Sequence, residues 1–140
     1  MEPLNFAQLL RIPFQALVTE LHVRLAEIGY SDIRPTHTLI FALVDREGVR
    51  LTELVERAQM TKQLVNYLVT SIEELGYVER VPDPEDGRAK IVRLTERGYQ
   101  ASQAGKEIIQ SIEQKWAEKL GVRDMQELRS LLQRLGSAVE

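Results

Sequence analysis

Hydrophobic residues along this chain recur every three or four positions through most of its length, which is the spacing of amphipathic helices. One such stripe runs from Leu10 to Ile28 and predicts a first helix over much of residues 4–28. Pro13 lies within it, so we expect either a kink there or a helix that begins near Pro13. A second helix is expected after Pro35.

The C-terminal part of the chain carries two further helical stripes. Thr95 is a suitable N-cap, and the apolar positions after it predict a long helix to about Leu120. Gly105 within this helix indicates close packing against another backbone, because a glycine in a helix interior otherwise only costs stability. Asp124 and Glu127 have the spacing of an N-cap box for a last helix.

Two shorter helices joined by a tight turn are predicted in the middle of the chain. Thr52 is placed to cap the first, of sequence LTELVERA, and Gln59 and Met60 form the connection. Thr61 then caps a helix that runs to about Leu75, and this order is typical of a helix-turn-helix. The apolar face of that second helix consists of Leu64, Val65, Leu68, Val69, Ile72 and Leu75.

The segment that follows has the pattern of a β-hairpin with a charged tip. Strands are expected at residues 77–81 and 91–94, joined by a stretch rich in Pro, Asp and Gly. Arg88 lies at the tip, close to Asp86. An arginine on a projecting hairpin suits the narrow minor groove of DNA, where the negative potential is enhanced.

The order of these elements predicts a mainly α protein with a small β-hairpin wing, that is, a winged helix-turn-helix core with helices on both sides. We expect a single domain over residues 1–140, since a chain of this length and 44% hydrophobic content normally forms one compact unit. The core is predicted at 34–98, with the helix-turn-helix at about 52–75 and the wing at about 77–94. A very short strand is expected at residues 49–51.

Composition and motifs exclude several other classes of protein. The chain has no cysteine, which removes disulfides, thiolate catalysis and Cys-type zinc sites, and two lone histidines do not form a metal site. Nucleophile-elbow, phosphate-loop and paired His–carboxylate motifs are absent, so we expect no enzyme, no catalytic residue and no cofactor. The sequence lacks an apolar run of membrane-spanning length and a recognisable signal peptide, so we expect a cytoplasmic protein without a membrane partner.

The exposed face predicted for the second helix of the helix-turn-helix is suited to double-stranded DNA. Gln63 and Asn66 each combine a donor and an acceptor, as adenine recognition in the major groove requires. The net charge of −3 does not favour binding by charge alone, but the segment from Arg57 to Ile72 holds two basic residues and no acid. The candidate DNA-binding residues are Thr61, Lys62, Gln63, Asn66, Tyr67, Thr70, Asp86 and Arg88.

The alternative is a winged-helix adaptor that contacts only other proteins. Such a module would need apolar anchors on the same exposed face, and the sequence instead places Lys62, Gln63, Asn66 and Thr70 there. The polar face therefore favours DNA.

The residues from about Pro35 to Gly98 resemble the winged-helix core of MarR-type transcriptional regulators, the multiple antibiotic resistance regulator family. The wing motif of that family is Asp, one residue, Arg, a five-residue spacer, Leu-Thr, two residues and Gly. It is matched here by Asp86, Arg88, Leu94, Thr95 and Gly98. The helix pattern of the flanking segments is consistent with the family over essentially the whole chain.

This resemblance implies a homodimer that binds a pseudo-palindromic operator. The helices at 4–30 and 95–138 would form the dimer, and the two recognition helices would enter successive major grooves. Arg88 would enter the flanking minor groove, with Asp86 fixing its guanidinium. The chain departs from the family at Arg34, which occupies an N-cap position where Ser or Thr is expected.

The resemblance also implies a ligand-responsive repressor, because many relatives release DNA when a small anionic aromatic effector binds between the dimerisation and winged lobes. Each candidate has an ordinary structural alternative: Trp116 lies on an apolar stripe suited to a dimer core, and lone histidines are more often structural than ligands. The candidate effector-binding residues are Arg11, His22, Tyr30, His37 and Trp116.

Overall fold

The computed structural model describes residues 2–140, in which six α-helices and one three-stranded sheet follow in the order of a winged helix-turn-helix, as predicted. A single 3₁₀ turn at Pro35–His37 leads into the second helix. The elements are α1 Phe6–Glu27, α2 Thr38–Leu43, β1 Val49–Arg50, α3 Leu51–Ala58, α4 Lys62–Glu74, β2 Val78–Pro82, β3 Lys90–Leu94, α5 Glu96–Leu120 and α6 Val122–Val139.

Side-chain caps determine where several helices begin. Thr61 Oγ1 accepts from Leu64 N at 3.1 Å, and Thr95 Oγ1 accepts from Gly98 N at 3.1 Å, so both predicted caps are confirmed. Helix α1 is capped by Asn5, whose side chain and backbone exchange hydrogen bonds with Gln8 at 2.9 Å. The helix therefore begins well before Pro13, and the expectation of a start near that proline was wrong.

Two other predicted caps are wrong because the preceding segments already determine the helix starts. Helix α3 begins at Leu51 directly after Arg50, which is paired with Ile91 in the sheet, so Thr52 lies within the first turn. Helix α6 begins at Val122 after a turn in which Gly121 has φ 103°. Asp124 consequently lies in the first turn of α6. Its negative charge interacts favourably with the helix dipole there, but its side chain does not cap the helix.

The sheet is antiparallel with the order β1-β3-β2, so the short first strand adds a third member to the hairpin. Its register pairs Val49 with Val92 on one side of β3 and Val78 with Leu94 on the other. All four of these side chains are buried beneath the helices of the winged core. The base of the wing is therefore anchored in the same core that holds α4.

Two apolar clusters hold the chain together, one within the winged core and one between α1 and α5. The second consists of Leu21, Leu25, Ile108 and Ile112, and Tyr30 packs against both clusters. The backbone contact expected near Gly105 is not present: a Cβ there would meet only Leu21 Cδ1, at 4.0 Å.

The terminal helices leave much apolar surface uncovered. No residue of α6 is buried among the residues that the structure describes, although its sequence is amphipathic. Within residues 2–140, no helix is both long and apolar enough to cross a membrane. The exposed apolar side chains of α1 and α6 include Phe6, Leu9, Phe14, Leu128, Leu131, Leu132 and Leu135.

Candidate nucleic-acid interface

Helix α4 separates its residues into a buried apolar side and an exposed side that carries most of the predicted DNA contacts. Val65, Leu68, Val69 and Ile72 are buried. Leu64, which the pattern assigned to the apolar face, is 44% exposed and so belongs to the outer surface. The exposed candidates on this helix are Thr61, Lys62, Gln63, Tyr67 and Thr70.

Asn66 differs from these exposed candidates because both ends of its amide are engaged within the protein. Its Nδ2 donates to the carbonyl of Lys62 at 3.0 Å, and its Oδ1 lies 3.4 Å from Arg80 Nη2. The side chain is half-buried. A two-point contact from Asn66 to a base therefore requires it to give up these internal bonds, whereas Gln63 is exposed.

Arg80, on β2, is a component of this surface that sequence reasoning missed. Its Nη1 lies 2.6 Å from Glu73 Oε1, and its backbone N–H donates to Glu73 Oε2 at 3.1 Å. Its Nη2 donates to Thr70 Oγ1 at 3.2 Å. One arginine thus joins the wing to the side chains of α4. The signal in the sequence was a basic residue shortly after a helix with an acid in its last turn.

The tip of the wing is organised by backbone hydrogen bonds. Asp86 Oδ1 accepts from the backbone N–H of Arg88 at 3.1 Å, and the carbonyl of Asp86 accepts from Ala89 N at 3.0 Å. Within residues 2–140, no ion pair joins Asp86 to the guanidinium of Arg88, and Asp86 instead orders the main chain of the tip. That Asp86 fixes the guanidinium in the DNA complex stays a prediction. The base of the loop is held by Asp83, whose buried carboxylate lies 2.7 Å from Arg50 Nε.

The charge of the interface is concentrated in a few cations. Arginines around the winged core are neutralised by neighbouring acids, as in the pairs Arg57–Glu53 and Arg93–Glu79, each at 2.6 Å. Within residues 2–140, no ion pair involves Lys62, Arg88 or Lys90. These three side chains are therefore the cations of this surface that are left available for phosphates or bases.

The structure does not bring all five candidate effector residues into one site. Arg11 is exposed and bonds Gln15 at 3.0 Å, while Trp116 packs on the cluster between α1 and α5. Tyr30 lies 6.2 Å from Tyr77, ring to ring, and packs against both apolar clusters, so it shares one of them with Trp116. His37 is buried near α4, and His22 lines a cavity.

That cavity, of about 290 Å³, lies between α1, α2 and α5. Burial lowers the pKa of His22, and the hydrogen bond between Nδ1 and the carbonyl of Ile33 partly opposes this. The polar residues that line the cavity are His22, Thr38, Ser102 and Lys106. The apolar residues that line it include Leu21, Leu25, Ile33, Phe41 and Ile109.

These features define a winged helix-turn-helix protein. Its tight helix pair exposes a polar face on the second helix, and its sheet projects a hairpin beside that helix. A family model described as the MarR family matches residues 31–89. The winged core of this chain is therefore similar to that of the MarR family.

Curated proteins and solved structures show the same similarity over more of the chain. The transcriptional regulator HosA of Escherichia coli is 26% identical over 105 residues, which cover 75% of this chain and 78% of HosA. The HTH-type transcriptional repressor Rv2887 of Mycobacterium tuberculosis is 24% identical over 103 residues, 74% of each chain. The crystal structure of the Staphylococcus aureus MepR–DNA complex has a TM-score of 0.71 at 19% identity and covers 98% of this chain and 100% of that chain, which shows the shared fold.

Proposed function

We propose that this protein is a ligand-responsive repressor that binds a pseudo-palindromic operator in double-stranded DNA as a homodimer. The observation that carries the proposal is the exposed polar face of α4 beside a wing with free cations at its tip. In this arrangement Gln63 and Lys62 reach the major groove, and Arg88 reaches the adjacent minor groove. A DNA-bound structure of MepR and a relative named as a repressor support it.

The proposed dimer uses the apolar surface that one chain leaves uncovered. Helix α6 exposes Leu128, Leu131, Leu132 and Leu135 in a row, and α1 exposes Phe6 and Phe14. Large contiguous apolar patches usually mark an interface. Two copies joined through these helices would present two α4 helices to one face of the duplex, as a palindromic site requires. A protein bound to the chromosome in this way works in the cytoplasm.

The proposed effector is a small aromatic acid held in the cavity between α1, α2 and α5. A volume of about 290 Å³ with mainly apolar walls suits one aromatic ring. Lys106 and the hydroxyls of Thr38 and Ser102 would meet its carboxylate. Because the cavity lies between the terminal helices and the winged core, its occupancy would change the angle between them.

One observation favours the alternative of a protein-binding adaptor. Leu64 and Tyr67, three residues apart on α4, are 44% and 70% exposed and lie beside the polar candidates. An adaptor would use these two side chains as anchors, whereas a DNA-binding protein would place them against sugars and the methyl groups of thymine.

Fluorescence anisotropy with labelled genomic fragments at several salt concentrations distinguishes the two functions. A dimer that neutralises roughly 6–10 phosphates gives a log–log slope of about −0.9 per phosphate. Lys62→Ala should reduce the slope by about one for each protomer, while Lys119→Ala, which removes the same charge at the end of α5, should leave it unchanged. Affinity that does not change with salt would refute DNA binding and favour the adaptor.

A further inference from the structure

His37 connects the start of α2 to the recognition helix α4 and is only 3% exposed. Its Nδ1 accepts the backbone N–H of Arg34 at 3.0 Å. Its Nε2 lies 3.1 Å from Ser71 Oγ on α4. The ring thus takes over the capping of the 3₁₀ turn, where Arg34 has no capping side chain. It also contacts a side chain in the C-terminal half of α4.

These partners determine the protonation state of the His37 ring. Since Nδ1 accepts from an N–H group, it carries no proton, and the neutral ring must hold its proton on Nε2. That N–H then donates to the hydroxyl of Ser71. A second proton on Nδ1 would face the N–H of Arg34, so the hydrogen bond would be lost and two donors would be opposed.

His22 provides an internal comparison because its hydrogen-bond partners are compatible with both the neutral and the protonated ring. Its Nδ1 lies 3.2 Å from the carbonyl of Ile33 and therefore donates, and its Nε2 lies 2.9 Å from the hydroxyl of Thr38. A hydroxyl can rotate to accept as well as donate. Protonation of His22 therefore preserves both contacts, whereas protonation of His37 breaks one.

The geometry points to His37 as a positioning residue for the recognition helix: its neutral Nε2–H form links the start of α2 to Ser71 of α4. Protonation at Nδ1 turns the ring away from the N–H of Arg34, so Ser71 and α4 shift from their place against α2 and DNA binding weakens. This role rests on the proposed DNA-binding function. His22 bonds Thr38, the residue after His37, and also lines the cavity. His37 therefore lies between the cavity wall and α4.

The charges around His37, like its hydrogen bonds, favour the neutral ring. The pKa of His37 is lowered by burial first, and then by the positive charges of Arg34 and of His22 on α1, while Asp32 opposes the shift. The contact from α4 is the neutral hydroxyl of Ser71. Because the folded protein prefers neutral His37, the unfolded chain binds more protons. The stabilisation of the folded protein by neutral His37 is therefore present above the ordinary histidine pKa of about 6.5. It is lost as the pH falls from there toward the lower pKa that His37 has in the folded protein.

The experiment measures DNA affinity from pH 7.5 to 5.0 by anisotropy, with a duplex that the parent protein binds at pH 7.5, chosen by gel shift from genomic fragments. His22 and His37 are the only histidines of the chain, so His22→Asn leaves His37 as the sole histidine. We expect the DNA affinity of this variant to fall at least about fivefold between pH 7.5 and pH 5.0. Each proton coupled to binding changes the affinity by up to tenfold per pH unit.

Three further variants separate positioning from a general loss of structure. His37→Asn retains an acceptor near Nδ1 but has no group to reach Ser71 and does not titrate, so its affinity should be lower at pH 7.5 and nearly constant with pH. His37→Gln, whose amide nitrogen replaces Nε2, should recover part of the affinity at pH 7.5. Ser71→Ala removes the acceptor and should behave like His37→Asn. Circular dichroism at each pH verifies that every variant is folded.

Long-range ¹H–¹⁵N NMR of the free protein tests the tautomer without DNA, and it should show the proton of neutral His37 on Nε2. A proton on Nδ1, or a pH profile as steep in His37→Asn and Ser71→Ala as in the parent, overturns the role of His37 and leaves the proposed function intact. A parent protein that binds none of the fragments at pH 7.5 overturns the proposed function and with it this role. If His37→Asn does not fold, Ser71→Ala and the tautomer decide the question.

Discussion

The guanidinium of Arg80, on the first strand of the wing, lies 2.6 Å from the carboxylate of Glu73 near the end of the recognition helix. The same guanidinium donates to Thr70 and approaches Asn66, two of the candidate DNA-binding residues. The wing and the recognition helix are therefore joined by one side chain as well as by the core beneath them. Because a guanidinium donates its hydrogen bonds in fixed directions, these contacts also orient Thr70 and Asn66.

Replacement of Arg80 should affect both stability and base preference. Arg80→Ala leaves Glu73 without its partner and should cost about 1–2 kcal/mol, since the pair is only partly exposed. Arg80→Lys keeps the charge but cannot bond Glu73 and Thr70 with one planar group, so we expect a smaller loss of stability with altered preference at the bases that face Asn66. Urea unfolding and binding to a panel of operator variants measure the two effects.

The matched control for Arg80 is Arg93, which pairs with Glu79 at 2.6 Å on a more exposed part of the same hairpin. Arg93→Ala should cost only about 0.2–1 kcal/mol and leave base preference unchanged. An Arg80 variant that behaves like the Arg93 variant in both assays would contradict the orienting role.

The wing tip offers a test of how Asp86 acts. Arg88→Ala should weaken binding roughly tenfold, mainly at flanking A·T positions, because it removes the charge proposed to enter the minor groove. Asp86→Asn keeps an oxygen that accepts the Arg88 backbone N–H, so we expect affinity close to that of the parent, with a larger loss in Asp86→Ala. Anisotropy on one operator compares the three. Equal losses for the Asn and Ala variants would mean that the carboxylate charge acts on the guanidinium in the complex.

Two glycines of α5 should respond oppositely to alanine. A Cβ on Gly98 would lie 1.9 Å from the carbonyl oxygen of Tyr77, so Gly98→Ala should destabilise by about 3 kcal/mol as the helix start is displaced from the sheet. A Cβ on Gly105 meets only Leu21 Cδ1, at 4.0 Å, so Gly105→Ala should stabilise by about 1 kcal/mol. Thermal unfolding of both variants provides the comparison. A destabilised Gly105→Ala variant would reveal a neighbour from the partner subunit.

The proposed dimer predicts that α6 depends on a second chain. Leu132→Glu puts a charge in the middle of the exposed apolar row and should shift sedimentation from dimer to monomer at micromolar concentration. It should also lower helicity, because α6 buries none of its described residues in a single chain. Gln133→Glu, next to it in sequence, changes charge without interrupting the row and serves as the control. A stable folded monomer of the parent protein would contradict the dimer.

The sequence alone determined the class of protein, because local signals were sufficient for it. Apolar spacing defined the helices, and the alternation between Tyr77 and Leu94 defined the wing. Thr61 and Thr95 marked two helix starts, since a hydroxyl cap acts on a backbone N–H only three residues away. The exposed candidates at Lys62 and Gln63 also followed from spacing, as the buried face of α4 dictates the opposite one.

Only the tertiary structure decided which of these residues already have partners. Asn66 bonds within its own helix and to Arg80, and Asp86 binds a backbone N–H rather than a guanidinium. His37 contacts Ser71, 34 positions away in the chain. Such contacts depend on how the wing and the start of α2 pack against α4. Periodicity along a chain describes which face of an element is buried, but the side chain that meets a given atom is set by packing between distant segments.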